Sequence, residues 1–137
     1  MSALAITVKT LLADSTLTPI VGNRIYPIFA PPDAKIPNIV VHLVGEEEEE
    51  LLQGASIWPE ARVSIECRSD SAPQVDRVAQ RIIDWLRDKR NYEVFGHEAT
   101  FRKEGSDVTD SSDEISKGAP YVSRRIIDFY LRYRREV

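Results

Sequence analysis

The chain has 137 residues, 42% apolar and 29% charged, with 22 acidic against 18 basic side chains and a formal net charge of −4. That length buries the core of one domain, and the acidic excess speaks against a general nucleic-acid binder, which normally carries a basic one. No apolar run is long enough to cross a membrane, the Met1-Ser2-Ala3-Leu4 start lacks the layout of a secretion signal, and one cysteine with two histidines excludes an internal disulfide and a zinc cluster. The expectation is one soluble domain over residues 1–137, of a reducing compartment, with no cofactor and no metal.

Leu4, Val8, Leu11 and Leu12 recur at helical spacing behind Ser2, a capping residue, and predict an amphipathic helix from Ala3 to Ala13. Asp14, Ser15 and Thr16 break it, and Pro19 with Gly22 marks a single helical turn with a glycine stop. Arg24, Ile25 and Tyr26 read as a short strand ended by Pro27, with a proline-rich loop from Ala30 to Pro37. Ile39 to Val44 is apolar and β-branched, as in a strand covered on both faces. The segment Gly45 to Gly54 reads as a solvated hairpin loop holding five consecutive glutamates, Glu46, Glu47, Glu48, Glu49 and Glu50. Ile57, Ala61, Val63, Ile65 and Cys67 then alternate with Trp58, Glu60, Arg62, Ser64, Glu66 and Arg68, the cleanest strand pattern of the chain, with Pro59 pointing to an edge or a bulge at its start.

A helix from Pro73 to Lys89 follows, with Val75, Val78, Ala79, Ile82, Ile83 and Leu86 on one stripe and Arg77, Gln80, Arg81, Asp84, Arg87 and Asp88 opposite. Val94 to Arg102 is a weaker strand interrupted by Gly96, and Lys103 to Ala119, rich in Ser, Asp and Gly, reads as a mobile loop. In the last strand, Tyr121 to Arg134, one face holds Ile127, Phe129, Leu131 and Tyr133; the other holds Arg124, Ile126, Asp128, Tyr130, Arg132 and Arg134. At about 3.3 Å per residue it reaches on the order of 45 Å, so it either bends at a bulge or overhangs the monomer. The order of elements fits an α+β domain, a mainly antiparallel (mixed) sheet packed against two helices.

Catalytic patterns are missing. The sequence has no phosphate-binding glycine loop and no dinucleotide fingerprint. His42 sits inside an apolar strand, and His97 is not spaced with any carboxylate or cysteine as metal ligands are. Cys67 lies on an apolar strand face, where cysteine acts as a small hydrophobe. The expectation is therefore no enzyme and no catalytic residue.

Charge is unevenly placed instead. Glu46 to Glu50 forms one acidic cluster, and Glu104, Asp107, Asp110, Asp113 and Glu114 form a second. Arg124, Arg125, Arg132, Arg134 and Arg135 outnumber the acids of the C-terminal strand. Acidic loops and a basic tail suit a head-to-tail contact between copies, which closes into a ring if the rotation is right. The competing reading is an arginine strand that binds nucleic-acid phosphate.

An ordered set of segments carries a resemblance to a known family. The most telling is Gly22-Asn23-Arg24-Ile25-Tyr26-Pro27, preceded by Leu11 to Asp14 and followed by Ile36 to Val41, Gly54, the strand Ala61 to Cys67 and the helix from Pro73. In these the chain resembles the tail-completion or tail-terminator proteins of long-tailed bacteriophages and prophages, over roughly Ala3 to Leu86. The resemblance implies a structural protein of the virion neck, assembled in the host cytoplasm. It implies a ring, typically a hexamer, that caps the tail tube, stops its polymerisation and joins the tail to the head connector. Its partners would be further copies of itself, the tail tube protein and the connector or stopper protein, with DNA passing through the bore unbound and no membrane. A connector or stopper ring is the nearest alternative. The five-glutamate insertion and the acidic stretch before the last strand depart from the family pattern. Acidic residues facing a lumen would repel phosphate, so Glu46 to Glu50, or Asp107, Asp110 and Asp113, are placed at the bore or an axial face.

Overall fold

The computed structural model describes residues 2–47, 50–51, 54–55, 59–112 and 122–134. Helix α1 (Ala3–Leu12) starts at Ser2, whose hydroxyl accepts the Ala5 amide, and α2 (Thr18–Val21) ends at Gly22. The strands follow as β1 (Ile25–Pro27), β2 (Asn38–Glu47), the short pair β3 (Glu50–Leu51) and β4 (Gly54–Ala55), and β5 (Glu60–Ser69). Helix α3 (Ala72–Arg87), capped by Ser71, leads into β6 (Tyr92–Val94), β7 (His97–Ser112) and β8 (Val122–Tyr133).

The main sheet has the order β1-β2-β5-β8-β7-β6, antiparallel except for the parallel β1–β2 pair, and β3 with β4 forms a separate hairpin. This is the expected α+β fold with a mixed, mainly antiparallel sheet. Both long helices lie on one face of a curled sheet, α1 over β1, β2 and β5 and also against β6 at the far end of the strand order, and α3 over β5, β7 and β8. The core between them follows the period of each element. On β5 every second residue from Ala61 to Ser69 is buried, and on β8 Ile127, Phe129, Leu131 and Tyr133 are buried opposite the α3 stripe of Val75, Val78, Ala79, Ile82, Ile83 and Leu86. Phe101 and Phe129 meet edge to face, their ring centres 6.4 Å apart.

Four expectations change. Helix α1 buries Ala3, Ile6, Thr7, Thr10 and Leu11, while Leu12 is exposed. The threonines tolerate burial because their hydroxyls donate to the Ala3 and Ile6 carbonyls one turn back, at 2.8 and 2.7 Å. Gly96 does not interrupt a strand. With Phe95 it forms a two-residue turn, both residues at positive φ (55° and 78°), that joins β6 to β7.

The stretch from Lys103 to Ser112, expected as a loop, is strand paired to β8 through Ser112–Val122. Among the described residues this stretch pairs on one side only, with β8. The part from 113 to 119 lies outside the described residues.

Strand β8 does not overhang. It is interior, covered by β5 on one side and β7 on the other. The bulge lies in its neighbour: Glu104, Gly105 and Ser106 of β7 stand opposite the single Asp128. A second bulge in β2 leaves Val44 as the extra residue between Leu43 and Gly45. Ile57 and Trp58 lie outside the described residues.

Candidate assembly surface

The sheet face without helices is built from the polar half of each alternating strand, and it carries a lattice of charges. On β5 and β8, Arg62 directs Nε and Nη2 at one carboxylate oxygen of Asp128, at 3.0 and 2.7 Å, and lies 3.9 Å from Glu104. Arg124 reaches Glu66 at 3.3 Å, and His42 lies 3.4 Å from the same carboxylate. Arg102 reaches Glu60 at 3.5 Å, and its guanidinium sits 4.7 Å from the centre of the Tyr130 ring. Arg62–Asp128, Arg124–Glu66 and His42–Glu66 are diagonal cross-strand pairs, which long side chains can still bridge, so the charges of this face are tied to one another across strands.

The predicted arginines separate on this frame. Arg124 is half-buried in the lattice. Arg125 points to the helix side, where it lies 3.8 Å from Asp76 of α3. Arg132 and Arg134 are exposed at the end of β8, and Arg135 lies outside the described residues.

The acidic residues separate too. Glu46 and Glu47 close β2, and Glu50 opens β3, so these three are strand rather than loop; Glu48 and Glu49 are outside the described residues. The Glu46 carboxylate accepts a hydrogen bond from the Tyr133 hydroxyl. Asp107 and Asp110 lie on β7, and Asp113 is outside the described residues.

The register shows where these segments stand. Glu47 pairs with Glu60, which pairs with Arg132, so the first acidic segment shares an end of the sheet with the exposed arginines. Asp110 pairs with Arg124, which pairs with Arg68 beside Asn38, at the other end. The two acidic segments therefore mark opposite ends of the sheet.

The Gly22 to Pro27 segment is a structural brace. Gly22 adopts φ 59°, a conformation that side chains resist. Arg24 donates from Nε to the Pro37 carbonyl at 2.9 Å and from Nη2 to the Ile20 carbonyl at 3.2 Å, tying α2 to the start of β2. Ile25 is buried, Tyr26 half-buried, and Pro27 ends β1; Asn23 accepts the Ile25 amide through its backbone carbonyl.

The fold is shared with a chain of a solved structure. Over 97% of this chain and 95% of the other, it matches a chain from a solved structure described as the virion of a native gene transfer agent particle, with a TM-score of 0.69 and 17% sequence identity. No family model and no curated protein matches the sequence.

Two residues that sequence reasoning assigned to other duties hold the helices together. Asp14, read as a helix breaker, is fully buried, and Arg81, read as part of the solvent side of α3, grips both its oxygens at 2.8 and 3.0 Å. Burial alone would raise the Asp14 pKa, but the Arg81 hydrogen bonds, the Thr16 amide and the Arg81 charge together hold it below the ordinary value. Burial pushes the Cys67 thiol up to about 12, which makes it a core group and a poor nucleophile. Among the described residues no group of three or more His, Cys, Asp or Glu is placed to hold a metal ion, and no helix is long and apolar enough to cross a membrane.

At the margin of β7, a groove of about 580 Å³ is lined by Arg87, Arg90, Thr100, Phe101, Arg102 and Lys103. At the other side of the sheet, β1 pairs with β2 only as far as Pro27–Val41, so no strand pairs on that side with His42 to Glu47 among the described residues. Four apolar side chains are exposed there: Ile28 (60%), Phe29 (69%), Leu43 (42%) and Val44 (56%).

Proposed function

We propose that the protein is a structural component of a virion, a tail terminator that assembles as a ring, a hexamer by resemblance. In this role it caps the tail tube and joins the tail to the head connector. The observation that carries the reading is the end-to-end match of its fold with a chain of a gene transfer agent virion, together with the ordered Gly22 to Pro27 and Ile36 to Val41 segments. A sheet face laced with ion pairs beside exposed apolar side chains supports a module that works by contact. Arg132 and Arg134 contribute to the contact between copies. The acidic segments at the two ends of the sheet face the axial openings or the bore, where they repel the phosphates of passing DNA. DNA passes without specific binding.

The test mixes the purified protein with tail tubes of its own particle and follows mass by light scattering and position by electron microscopy. The expected outcome is a ring on one end of each tube and an arrest of tube growth. A chain that never associates with tubes overturns the reading, and one that co-purifies with separated heads instead of tails assigns it to the connector.

A further inference from the structure

We propose that the cationic groove beside β7 receives an extended acidic segment of a partner protein, its carboxylates paired with Arg87 and Arg90 and its backbone laid along the outer edge of β7. The inference goes beyond the ring reading above and does not depend on it. Three observations support it. First, the positive charge open to a ligand is concentrated on one wall. Arg102 lies over the Tyr130 ring and reaches Glu60, and the Lys103 ammonium donates to the Glu104 carbonyl. Arg87, in the last turn of α3, and Arg90, just past it, are exposed and make no ion pair among the described residues. Lys89 between them does not line the groove: its ammonium lies 3.5 Å from the centre of the Trp85 ring and 5.0 Å from that of Tyr92.

Second, one side of the groove is a strand edge. Strand β6 is the last of the sheet and pairs with β7 only from His97 to Ala99, so no strand borders that side of β7 from Thr100 onward among the described residues. The Phe101 amide points to that side, where it donates to the Lys89 carbonyl at 3.0 Å, and the Phe101 carbonyl points the same way. An incoming extended segment finds an acceptor there, and its side chains two residues apart share a face, so carboxylates on that face meet the arginine wall. The Asn91 amide donates to the Thr100 hydroxyl oxygen at 2.9 Å, which fixes the connection carrying Arg90 to β7 before any ligand arrives.

Third, the basic stretch is short. The groove encloses about 580 Å³, and the sequence of β7 turns acidic directly after it, with Glu104, Asp107 and Asp110. A nucleic-acid backbone running along this edge would pass from two arginines to three carboxylates, whereas phosphate binding gains from a continuous basic track. A peptide needs acid only where it crosses the arginines. The chemistry therefore favours a protein partner, and charge complementarity makes its segment acidic.

The test uses the full chain and a fluorescent synthetic peptide that alternates Glu with Val, with binding read by anisotropy. The wild type is expected to bind it, and Arg87→Glu with Arg90→Glu to weaken binding roughly tenfold or more; Arg87→Gln with Arg90→Gln is expected to give a smaller loss. Both positions are exposed, and thermal melting checks that each variant folds. Two control peptides are expected to bind more weakly: one with Gln in place of Glu, and one N-methylated on the residues that would face the strand edge. A wild-type chain that ignores the acidic peptide overturns the proposal. So does a charge-reversed variant that binds it unchanged, or an N-methylated peptide that binds as tightly as its parent. A single-stranded oligonucleotide that outcompetes the peptide, and loses its affinity in the same double variant, overturns the proposal in favour of a polyanion site. Self-association that displaces the peptide from the wild type, and disappears in that variant, overturns it in favour of a second copy.

Discussion

Asp14 and Arg81 are 67 residues apart in the chain, and their pairing is what locks α1 and its following turn against α3. The same carboxylate accepts the Thr16 amide at 3.0 Å, so it caps a turn and anchors a helix at once. Because the folded carboxyl titrates below its ordinary value of 3.8, the unfolded chain takes up the proton first. The stabilisation is whole above about pH 4 and is lost as pH falls through the lower folded value. Asp14→Asn is expected to cost about 2 kcal/mol at neutral pH and to flatten the acid side of the stability profile, read by urea unfolding at a series of pH values. An acid limb parallel to the wild type would remove Asp14 from this role. Nothing local in the sequence announces the pair: Asp after a helix is most often a breaker, and Arg81 falls on the polar side of the α3 wheel. Only the approach of the two helices brings the charges together. The motif arginine, Arg24, is the opposite case, since its place in a short Gly-Asn-Arg-Ile-Tyr-Pro run singles it out, although its work is bracing two carbonyls.

Single elements were legible wherever both faces had opposite fates. Strand β5 and helix α3 each divide water from core along their whole length, and their periods of 2 and 3.6 show it directly. Strand β7 was not legible past Lys103, because its sequence there shows no alternating apolar pattern and the pairing that makes it a strand comes from β8, later in the chain. The α1 stripe was misread for a related reason, as Thr7 and Thr10 count as polar in a sequence and as satisfied core residues in a helix. Ile65 on β5 and Phe129 on β8 lie fully buried at the centre of the sheet. Phe129, fully buried against Phe101, is expected to cost about 3–5 kcal/mol when replaced by Ala. Ile65→Asp, which places an unpaired charge in the middle of a central strand, is expected to abolish folding. Circular dichroism and thermal melting check both, and a soluble Ile65→Asp protein with wild-type melting would contradict the core.

At the scale of the molecule, charge is organised by the ends and sides of the sheet. Arg132 pairs with Thr100 at the rim of the cationic groove, and the Arg134 amide donates to the Glu98 carbonyl nearby. Reversing both, Arg132→Glu with Arg134→Glu, is expected to leave the monomer folded and to weaken the proposed assembly, as read by sedimentation. Rings of normal stability from that chain would take the end of β8 out of the interface. The two bulges give this arrangement a further property. Val44 on β2 and Glu104 to Ser106 on β7 add local bend and twist to the sheet, and in the proposed ring the shape of each copy would set how many complete a circle. If the proposed ring forms, trimming or adding a residue at either bulge is expected to change its circumference, read by electron microscopy.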